Sequence, residues 1–191
     1  MSELTIRFAK PNEAGLVLDF IKKIADYEKL LDEVVCDEST IYDSVFVKKE
    51  AEVIFACEDG IPVGFALFFH NFSTFMGKKG LYLEDLFVIP EKRGKGYGKS
   101  ALDLLKEKGK IILLEIEPPI NGITQRRYNF YKRNGFAMNP YYHIQAKYHP
   151  GDADLELKVL TYPRVMEKEE YRLFYEYMTR EIGINPSESK D

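Results

Sequence analysis

The sequence predicts an α/β protein with a mixed sheet, and three observations support that class. Short segments with alternating or continuous apolar residues are typical of strands, and they lie between longer segments whose apolar residues recur at helical spacing. The turn signal Glu58-Asp59-Gly60 separates two strand-like segments and favours an antiparallel hairpin. Between Tyr82 and Ile116 a helical segment lies between two strands, which favours a right-handed crossover and a parallel pair.

Each element in the first half of the chain follows from a local pattern. Alternation of polar and apolar residues predicts half-buried strands. Apolar residues three or four positions apart predict an amphipathic helix, which Pro11 opens. Pro90 cannot continue a central strand and ends the fourth one. The predicted strands are 4–8, 52–57, 61–69 and 80–89, and the predicted helices are 11–24 and 38–46.

The second half alternates between the same two patterns. A near-continuous apolar strand stops at Pro118, and Gly135 is placed as the C-terminal stop of the helix that follows. We expect one domain over 1–165, a C-terminal helix extension over 166–183 and a flexible tail over 184–191. The predicted helices are 96–108, 124–134 and 167–182, and the predicted strands are 111–117, 141–147 and 155–160.

Composition excludes several classes of protein. The chain has 191 residues, of which 45% are hydrophobic and 30% are charged, an ordinary globular balance. Its net charge of −4 disfavours a nucleic-acid surface and suits a small cationic substrate. Its apolar segments are shorter than the ~20 residues that span a bilayer, so we expect no association with a membrane. The first residues lack a signal-peptide pattern, so we expect a cytoplasmic protein. Two cysteines, Cys36 and Cys57, are too few for a disulfide scaffold. No Cys/His cluster has the spacing of a zinc site, so no metal is expected.

The most informative segment is Arg93–Ser100, hereafter the glycine-rich loop, which reads RGKGYGKS between a strand and a helix. Glycines at alternate positions allow several backbone N–H groups to point at one anion, and the N-terminus of the next helix adds partial positive charge. Arg93, Lys95 and Lys99 complement such an anion. The loop therefore predicts phosphate binding, with a plain surface turn as the alternative.

Three types of phosphate loop compete for this segment. The dinucleotide fingerprint G-x-G-x-x-G fails, because the loop reads G-K-G-Y-G. The nucleoside-triphosphate loop G-x-x-x-x-G-K-[ST] matches only at its end, because Arg93 stands where its first glycine belongs. The R-x-x-G-x-G loop of acetyl-coenzyme A enzymes is satisfied by Arg93, Gly96 and Gly98.

The chain resembles the GNAT superfamily of N-acetyltransferases over about residues 3–165. GLYLEDLFVIPEKRGKGYGKS is similar to its central strand, pyrophosphate loop and helix, and TQRRYNFYKRNGF is similar to its later F-Y-x-x-x-G-F helix. The resemblance implies a mixed, mostly antiparallel sheet splayed at its centre, with helices on both faces. It implies acetyl-CoA as cosubstrate and no metal. The residues it implies for acetyl-CoA are the backbone of Leu86, Phe87 and Val88, and Arg93, Gly94, Lys95, Gly96, Tyr97, Gly98, Lys99 and Ser100.

The two halves resemble different members of the superfamily. The first half is most similar to the diamine (spermidine/spermine) N-acetyltransferases. The second half resembles a different bacterial GNAT group, and Thr124 stands where the diamine enzymes have an asparagine. The chain is therefore interpreted as a possible chimera joined near residues 105–110, either natural or engineered.

The resemblance also assigns chemistry to two residues. An alkylamine has a pKa of ~10.4, so deprotonating it at pH 7 costs about 4–5 kcal/mol, and a nearby carboxylate can accept the proton. Glu84 is the implied base, and a structural carboxylate is the alternative. Asp85 points to the opposite face of the strand unless a bulge intervenes. Tyr131 is the implied donor of a proton to the coenzyme A sulfur, and an aromatic residue of the core is the alternative.

Tyr27, Glu28 and Asp85 are the predicted substrate residues. They resemble the elements beside the amine pocket of the diamine enzymes, and a solvated charged face is the alternative. A polyamine or small diamine is the first substrate hypothesis, and a peptide or protein amine is the second. A CoA-binding module with weak catalysis and a nucleotide-phosphate-binding protein are the remaining alternatives. Related enzymes are often dimers, so a homodimer is compatible with this resemblance.

Overall fold

A computed structural model describes residues 2–73, 78–108, 111–145 and 153–181. The described residues form eight strands and five α-helices, in the α/β class that the sequence predicts. The strands are β1 (Leu4–Phe8), β2 (Glu52–Glu58), β3 (Ile61–Ser73), β4 (Lys78–Val88), β5 (Ile112–Ile116), β6 (Ala137–Met138), β7 (His143–Ile144) and β8 (Glu156–Tyr162). The helices are α1 (Ala14–Glu28), α2 (Glu38–Ile41), α3 (Tyr97–Lys108), α4 (Gly122–Arg133) and α5 (Lys168–Glu181).

The chain forms two compact units, one up to Ile112 and one from Leu113 onward. In the first unit, β1, β2, β3 and β4 lie side by side and each neighbouring pair is antiparallel. The predicted hairpin is confirmed, because β2 ends at Glu58 and β3 begins at Ile61. The Leu81 N–H also donates to the carbonyl of Ile111, 2.9 Å away. The mostly antiparallel sheet is therefore confirmed, and the splay at its centre stays a prediction.

Helices cover both faces of the first unit's sheet. On one face, Val17 and Phe20 of α1 pack with Phe55 and Phe65 in the larger apolar core. On the other face, Tyr97 at the start of α3 packs with Ala56 and Val63. Phe55 and Ala56 are neighbours on β2, so the alternation of side chains along the strand separates the two layers. The N-terminus of α3, where the glycine-rich loop ends, is thus fixed by a buried aromatic residue.

The second unit has a smaller antiparallel arrangement around β8. Residues Ala137 and Met138 of β6 pair with Thr161 and Leu160, and β7 pairs with the beginning of the same strand. Buried Asn139 fastens these elements, since its amide donates to the Thr161 hydroxyl at 2.8 Å and its oxygen accepts from the Met166 N–H at 2.7 Å. Strand β6 was not predicted, because two residues are too few to show a period.

Several element boundaries differ from the sequence predictions. Helix 38–46 divides into α2 and a π-helical segment, Tyr42–Val47. Helix 124–134 begins earlier, at Gly122. The strand predicted over 141–147 is reduced to His143–Ile144, and its last two residues lie outside the described residues, as do Ile182 and the predicted tail. Within the described ranges, no helix combines the length and apolar character needed to cross a membrane.

Candidate active site

A β-bulge lies at the centre of the candidate site. Leu83 of β4 pairs with Phe68 of β3, whereas Asp85 pairs with the adjacent residue Leu67, so Glu84 is the extra, bulged residue in the register. Such a bulge interrupts the strict alternation of side chains, so Glu84 and Asp85 are not forced onto opposite faces. Glu84 is exposed and Asp85 is partly buried. The bulge that would let both side chains reach the reacting centre is therefore present. Both carboxylates remain candidates for the base.

Asp85 and Glu28 form an acidic pair in the first unit. Burial raises the pKa of the Asp85 carboxyl to about 6, and the negative charge of Glu28, at the C-terminal end of α1, adds to the rise. Tyr27, the neighbour of Glu28 in sequence, packs on Phe87 of β4, two positions after Asp85, so the end of α1 lies against this part of the strand. At neutral pH this pair is a concentration of negative charge that a cation would relieve.

Tyr27 lies against the glycine-rich loop. Its ring meets the edge of Phe87, with ring centroids 6.2 Å apart. The Arg93 guanidinium lies 4.4 Å from the centroid of the Tyr27 ring and 5.5 Å from that of Phe87. Its Nε donates to the carbonyl of Val88 at 2.9 Å. The predicted substrate residue Tyr27 and the predicted cosubstrate residues Phe87, Val88 and Arg93 are thus brought together.

The loop owes its shape to two of its glycines. Gly94 has a φ of +80° and Gly96 a φ of +93°, values that residues with a Cβ rarely adopt. A Cβ at either position would meet no atom within 4 Å, so glycine is required for its backbone angles and not for lack of space. Gly98 lies inside α3, and the Ser100 N–H closes the first helical bond to the Gly96 carbonyl at 2.9 Å.

Glu58 anchors the loop, and the sequence analysis missed this role. Its carboxylate accepts hydrogen bonds from Lys92, from Lys95 at 3.1 Å and from the Tyr97 hydroxyl at 2.8 Å. These bonds, that of Lys92 first, lower the pKa of Glu58 to about 2. The amino group of Lys95 is therefore bound to Glu58, whereas the sequence analysis assigned it to a phosphate. The amino group of Lys99 similarly meets Asp103, one helical turn along α3.

In the second unit, Tyr131 lies on α4 and is buried, with 8% of its surface exposed. Its ring packs edge-on against Phe136, with centroids 5.4 Å apart. The helix ends as predicted, because Gly135 has a φ of +85° and the Phe136 N–H donates to the Tyr131 carbonyl. This packing agrees with the aromatic-core alternative, and the role of Tyr131 as an acid stays a prediction.

The helix carrying Tyr131 is capped at its N-terminus by Asn121 and Thr124. Asn121 is the N-cap, and its side-chain oxygen accepts from the N–H groups of Ile123 and Thr124 at 2.9 and 3.0 Å. The Thr124 hydroxyl in turn accepts from the Asn121 N–H at 3.1 Å, which completes a capping box. Thr124, which stands where the diamine enzymes have asparagine, is therefore a buried structural residue of the helix start.

The second unit also contains a buried polar cluster that sequence patterns did not indicate. The Nε2 of His143 lies 3.0 Å from a carboxylate oxygen of Glu115, and its Nδ1 lies 3.1 Å from the Tyr171 hydroxyl. His143 is 1% exposed and stacks on Phe174. Burial, then the charges of Tyr175 and Glu115, raises the pKa of Tyr171 to about 12. In the described residues, no group of three or more His, Cys, Asp or Glu is arranged to hold a metal.

Comparison with known proteins gives a single consistent family. The model of the Acetyltransferase (GNAT) family matches residues 20–136. Thialysine N-epsilon-acetyltransferase of Bos taurus is 34% identical over 118 residues, which are 56% of this chain and 68% of the bovine protein. L-ornithine N5-acetyltransferase NATA1 of Arabidopsis thaliana is 34% identical over 83 residues, which are 40% of this chain and 34% of the plant protein.

Solved structures share the fold at lower identity. A putative GNAT-family acetyltransferase from Bacteroides thetaiotaomicron has a TM-score of 0.71 at 22% identity and covers 95% of this chain and 99% of its own. A putative acetyltransferase from Salmonella typhimurium, solved with acetyl-CoA, has a TM-score of 0.61 at 17% identity and covers 86% of this chain and 95% of its own. The family match runs through residues 105–110 without interruption, so the comparisons give no support to a chimera.

Proposed function

Because this chain belongs to the GNAT family of acetyltransferases, we propose that it transfers the acetyl group of acetyl-CoA directly to a primary amine of a small molecule with two or more amines. Polyamines, small diamines and diamino acids such as thialysine or ornithine form this class. Relatives named for thialysine and ornithine acetylation support it. The observation that carries the proposal is the acidic pair formed by Asp85, which follows the bulge of β4, and Glu28, at the end of the helix whose Tyr27 packs on Phe87 of the same strand.

The acidic pair suits a substrate with more than one amine. One amine must lose its proton to attack, while a second, protonated amine offers a charge for Glu28 or Asp85 to bind. A diamine satisfies both demands at once. The exposed part of the Tyr27 ring adds an apolar surface that the methylene chain of a diamine can pack against.

The reaction proceeds by nucleophilic attack at the thioester. The amine nitrogen attacks the carbonyl carbon, the C–N bond forms, the C–S bond breaks, and coenzyme A leaves as a thiolate. A carboxylate at the bulge, Glu84 or Asp85, accepts the amine proton directly or through water. A base is most effective when its pKa lies near the working pH, and the pKa of Asp85, raised to about 6, meets that condition. Tyr131 supplies the proton that the thiolate takes up.

The glycine-rich loop supplies the site for acetyl-CoA. Backbone N–H groups of a loop whose glycines adopt positive φ can converge on a pyrophosphate, and the α3 N-terminus favours its charge. Glu58 holds the loop from the side of β2, so its shape exists before the cosubstrate arrives. A pre-shaped loop loses less conformational entropy on binding.

The test is a thiol-release assay with acetyl-CoA across a panel of amines. The panel contains thialysine, ornithine, putrescine, spermidine and a peptide with a free N-terminus. We expect turnover with at least one diamine, and a KM that rises about three- to tenfold in Glu28→Gln, the effect of one lost charge contact. Glu107→Gln, which removes an exposed carboxylate from α3 on the other face of the sheet, is the matched control.

Three outcomes contradict the proposal. Activity on the peptide alone would assign the enzyme to peptide amines. Binding of acetyl-CoA without thiol release from any amine would assign the chain to CoA-binding modules. A thermal shift with ATP but not with acetyl-CoA would instead indicate a nucleotide-phosphate protein.

A further inference from the structure

Arg93 is held by protein groups on three sides. Its guanidinium lies over the Tyr27 ring at 4.4 Å and near the Phe87 ring at 5.5 Å, and its Nε donates to the Val88 carbonyl at 2.9 Å. Tyr27 belongs to the last turn of α1, and Arg93 begins the glycine-rich loop. A planar guanidinium can stack on a ring and donate sideways at the same time, which an ammonium group cannot do. The contact thus links two segments 66 positions apart in sequence.

We propose that Arg93 is a positioning residue that couples the glycine-rich loop to Tyr27, so that coenzyme A in the loop and an amine beside Tyr27 strengthen each other's binding. This inference rests on the proposed function. It assigns Arg93 a role other than that of a simple phosphate-binding cation. It also makes Tyr27, on a helix outside the loop, a determinant of cosubstrate affinity.

The coupling has a direct physical cause. When a phosphate fixes the loop, Arg93 is fixed with it, and the ring of Tyr27 is then held by its contacts with Arg93 and Phe87. An amine that packs on Tyr27 therefore finds a wall that is already ordered, and it stabilises the stacked geometry in return. Linkage requires the effect to be equal in both directions, since one free energy joins the two sites.

The deciding experiment is a double-mutant cycle on the affinity for coenzyme A, measured by calorimetry. Arg93→Lys keeps the charge but loses the stack and the bond from Nε. Tyr27→Leu removes the ring from the other side of the contact. We expect each single variant to weaken coenzyme A binding about two- to fivefold, the range of an exposed cation–π contact. We expect the double variant to bind no more weakly than the weaker single variant.

Two further variants show whether the effect belongs to this contact. Tyr27→Phe keeps the ring and should keep the wild-type affinity for coenzyme A. Tyr42→Leu is the matched control, because Tyr42 is similarly exposed in the same unit and its ring packs on Phe46. It should leave the affinity unchanged. Melting temperatures of all variants identify any that fail to fold.

The proposal is overturned by either of two results. One is an unchanged coenzyme A affinity in Tyr27→Leu, and the other is a double variant whose loss equals the product of the two single losses. A wild-type protein that binds coenzyme A but acetylates no amine would remove the proposed function, while the cycle still decides whether Arg93 and Tyr27 act together on coenzyme A affinity. Where an amine substrate is found, its KM should rise in Arg93→Lys more than kcat falls.

Discussion

The Tyr97 hydroxyl donates a 2.8 Å hydrogen bond to Glu58, and this bond joins the first residue of α3 to the last residue of β2. The same carboxylate accepts from Lys92 and Lys95 on the two sides of Arg93. The ring of Tyr97 is buried between the sheet and α3. One carboxylate therefore holds the residue before the loop, Lys92, and two residues within it, Lys95 and Tyr97.

Glu58→Gln should loosen the glycine-rich loop and leave the packing of Tyr97 on Ala56 and Val63 in place. The amide keeps the size of the side chain but loses the charge that three donors share. We expect acetyl-CoA affinity to fall about two- to fivefold, the range of exposed ion pairs, measured by calorimetry. Glu91→Gln, which removes an exposed carboxylate next to Lys92 in sequence, controls for net charge. Equal losses in the two variants would contradict the anchoring role.

The pH dependence of this anchor has a defined sign. The pKa of Glu58 is lowered to about 2 from an ordinary value near 4.3, so its contribution to stability is present above pH ~4.3. It is lost as the pH falls toward 2. In the neutral range, Glu58 stays ionised and the anchor is constant.

Asp85→Asn should stabilise the protein at alkaline pH. The pKa of Asp85 is raised to about 6 from ~3.9 in the unfolded chain, so the native state is penalised as the pH rises from 4 to 6, by up to about 3 kcal/mol at 1.36 per unit. The variant lacks this penalty. Thermal unfolding should show a higher Tm than wild type at pH 8, with the difference shrinking toward pH 4.

Glu28→Gln tests the cause of that penalty. Burial is the larger cause of the raised pKa and Glu28 the smaller, so this variant should gain less stability than Asp85→Asn at pH 8. A pH-independent difference between Asp85→Asn and wild type would show that Asp85 does not titrate near neutrality. It could then not act as a base tuned to the working pH.

Gly96→Ala should weaken cosubstrate binding through backbone strain. The φ of Gly96 is +93°, and its new Cβ would meet no atom within 4 Å, so the penalty is conformational and costs about 1–2 kcal/mol. If the loop of the variant relaxes to a negative φ when acetyl-CoA is absent, it must return to the strained conformation in order to bind. We expect a loss of affinity of about 5- to 30-fold.

Gly60→Ala is the matched control for this strain. Gly60 has a φ of +80° and equally open surroundings, but it lies in the β2–β3 hairpin turn. The control should lose similar stability and keep its affinity for acetyl-CoA. If both variants bind acetyl-CoA as wild type does, the loop does not form the phosphate site.

Local patterns predicted most of the fold, because each depends on neighbours in sequence. The hairpin at Glu58-Asp59-Gly60 and the stop at Gly135 are confirmed, since turns and helix ends need particular residues at particular backbone angles. The resemblance of the glycine-rich loop and of the F-Y-x-x-x-G-F helix likewise led to the family that the comparison finds over residues 20–136.

Non-local geometry accounts for what the sequence could not provide. The bulge at Glu84 depends on how β4 pairs with β3, and the sequence could state it only as a condition. Glu58 lies 34, 37 and 39 positions from its three partners, so it looked like part of an ordinary turn. The pairing of Arg93 with Tyr27 has the same character, because a cation's partner is fixed by folding and not by its neighbours in sequence.

The buried cluster in the second unit predicts the protonation of a histidine. The Tyr171 hydroxyl gives its one proton to the Tyr142 carbonyl at 2.7 Å, so the Nδ1 of His143 must be the donor in its 3.1 Å contact with Tyr171. The Nε2 then faces a carboxylate oxygen of Glu115 at 3.0 Å. Nitrogen-15 NMR of His143 at neutral pH should show a protonated Nδ1.

Two variants extend this prediction. Tyr171→Phe removes the hydroxyl that both neighbours use, and we expect a loss of about 1–3 kcal/mol in the free energy of unfolding. Tyr177→Phe, on the exposed side of the same helix, should cost little. An unprotonated Nδ1 would show that the hydroxyl donates to His143 instead of to the Tyr142 carbonyl.

Tyr131→Phe separates an acid from an aromatic core residue. The change removes one hydroxyl and keeps the ring that packs on Phe136. If the phenol protonates the leaving thiolate, turnover in the thiol-release assay should fall ~10²–10⁴-fold, the range of a positioned acid. Affinity for acetyl-CoA and Tm should change little, because a single hydrogen bond is worth about 1 kcal/mol. Tyr128→Phe, on the same helix, is the matched control and should keep turnover. Reduced stability with intact turnover would mark the Tyr131 hydroxyl as structural, and the proton would then come from solvent or another residue.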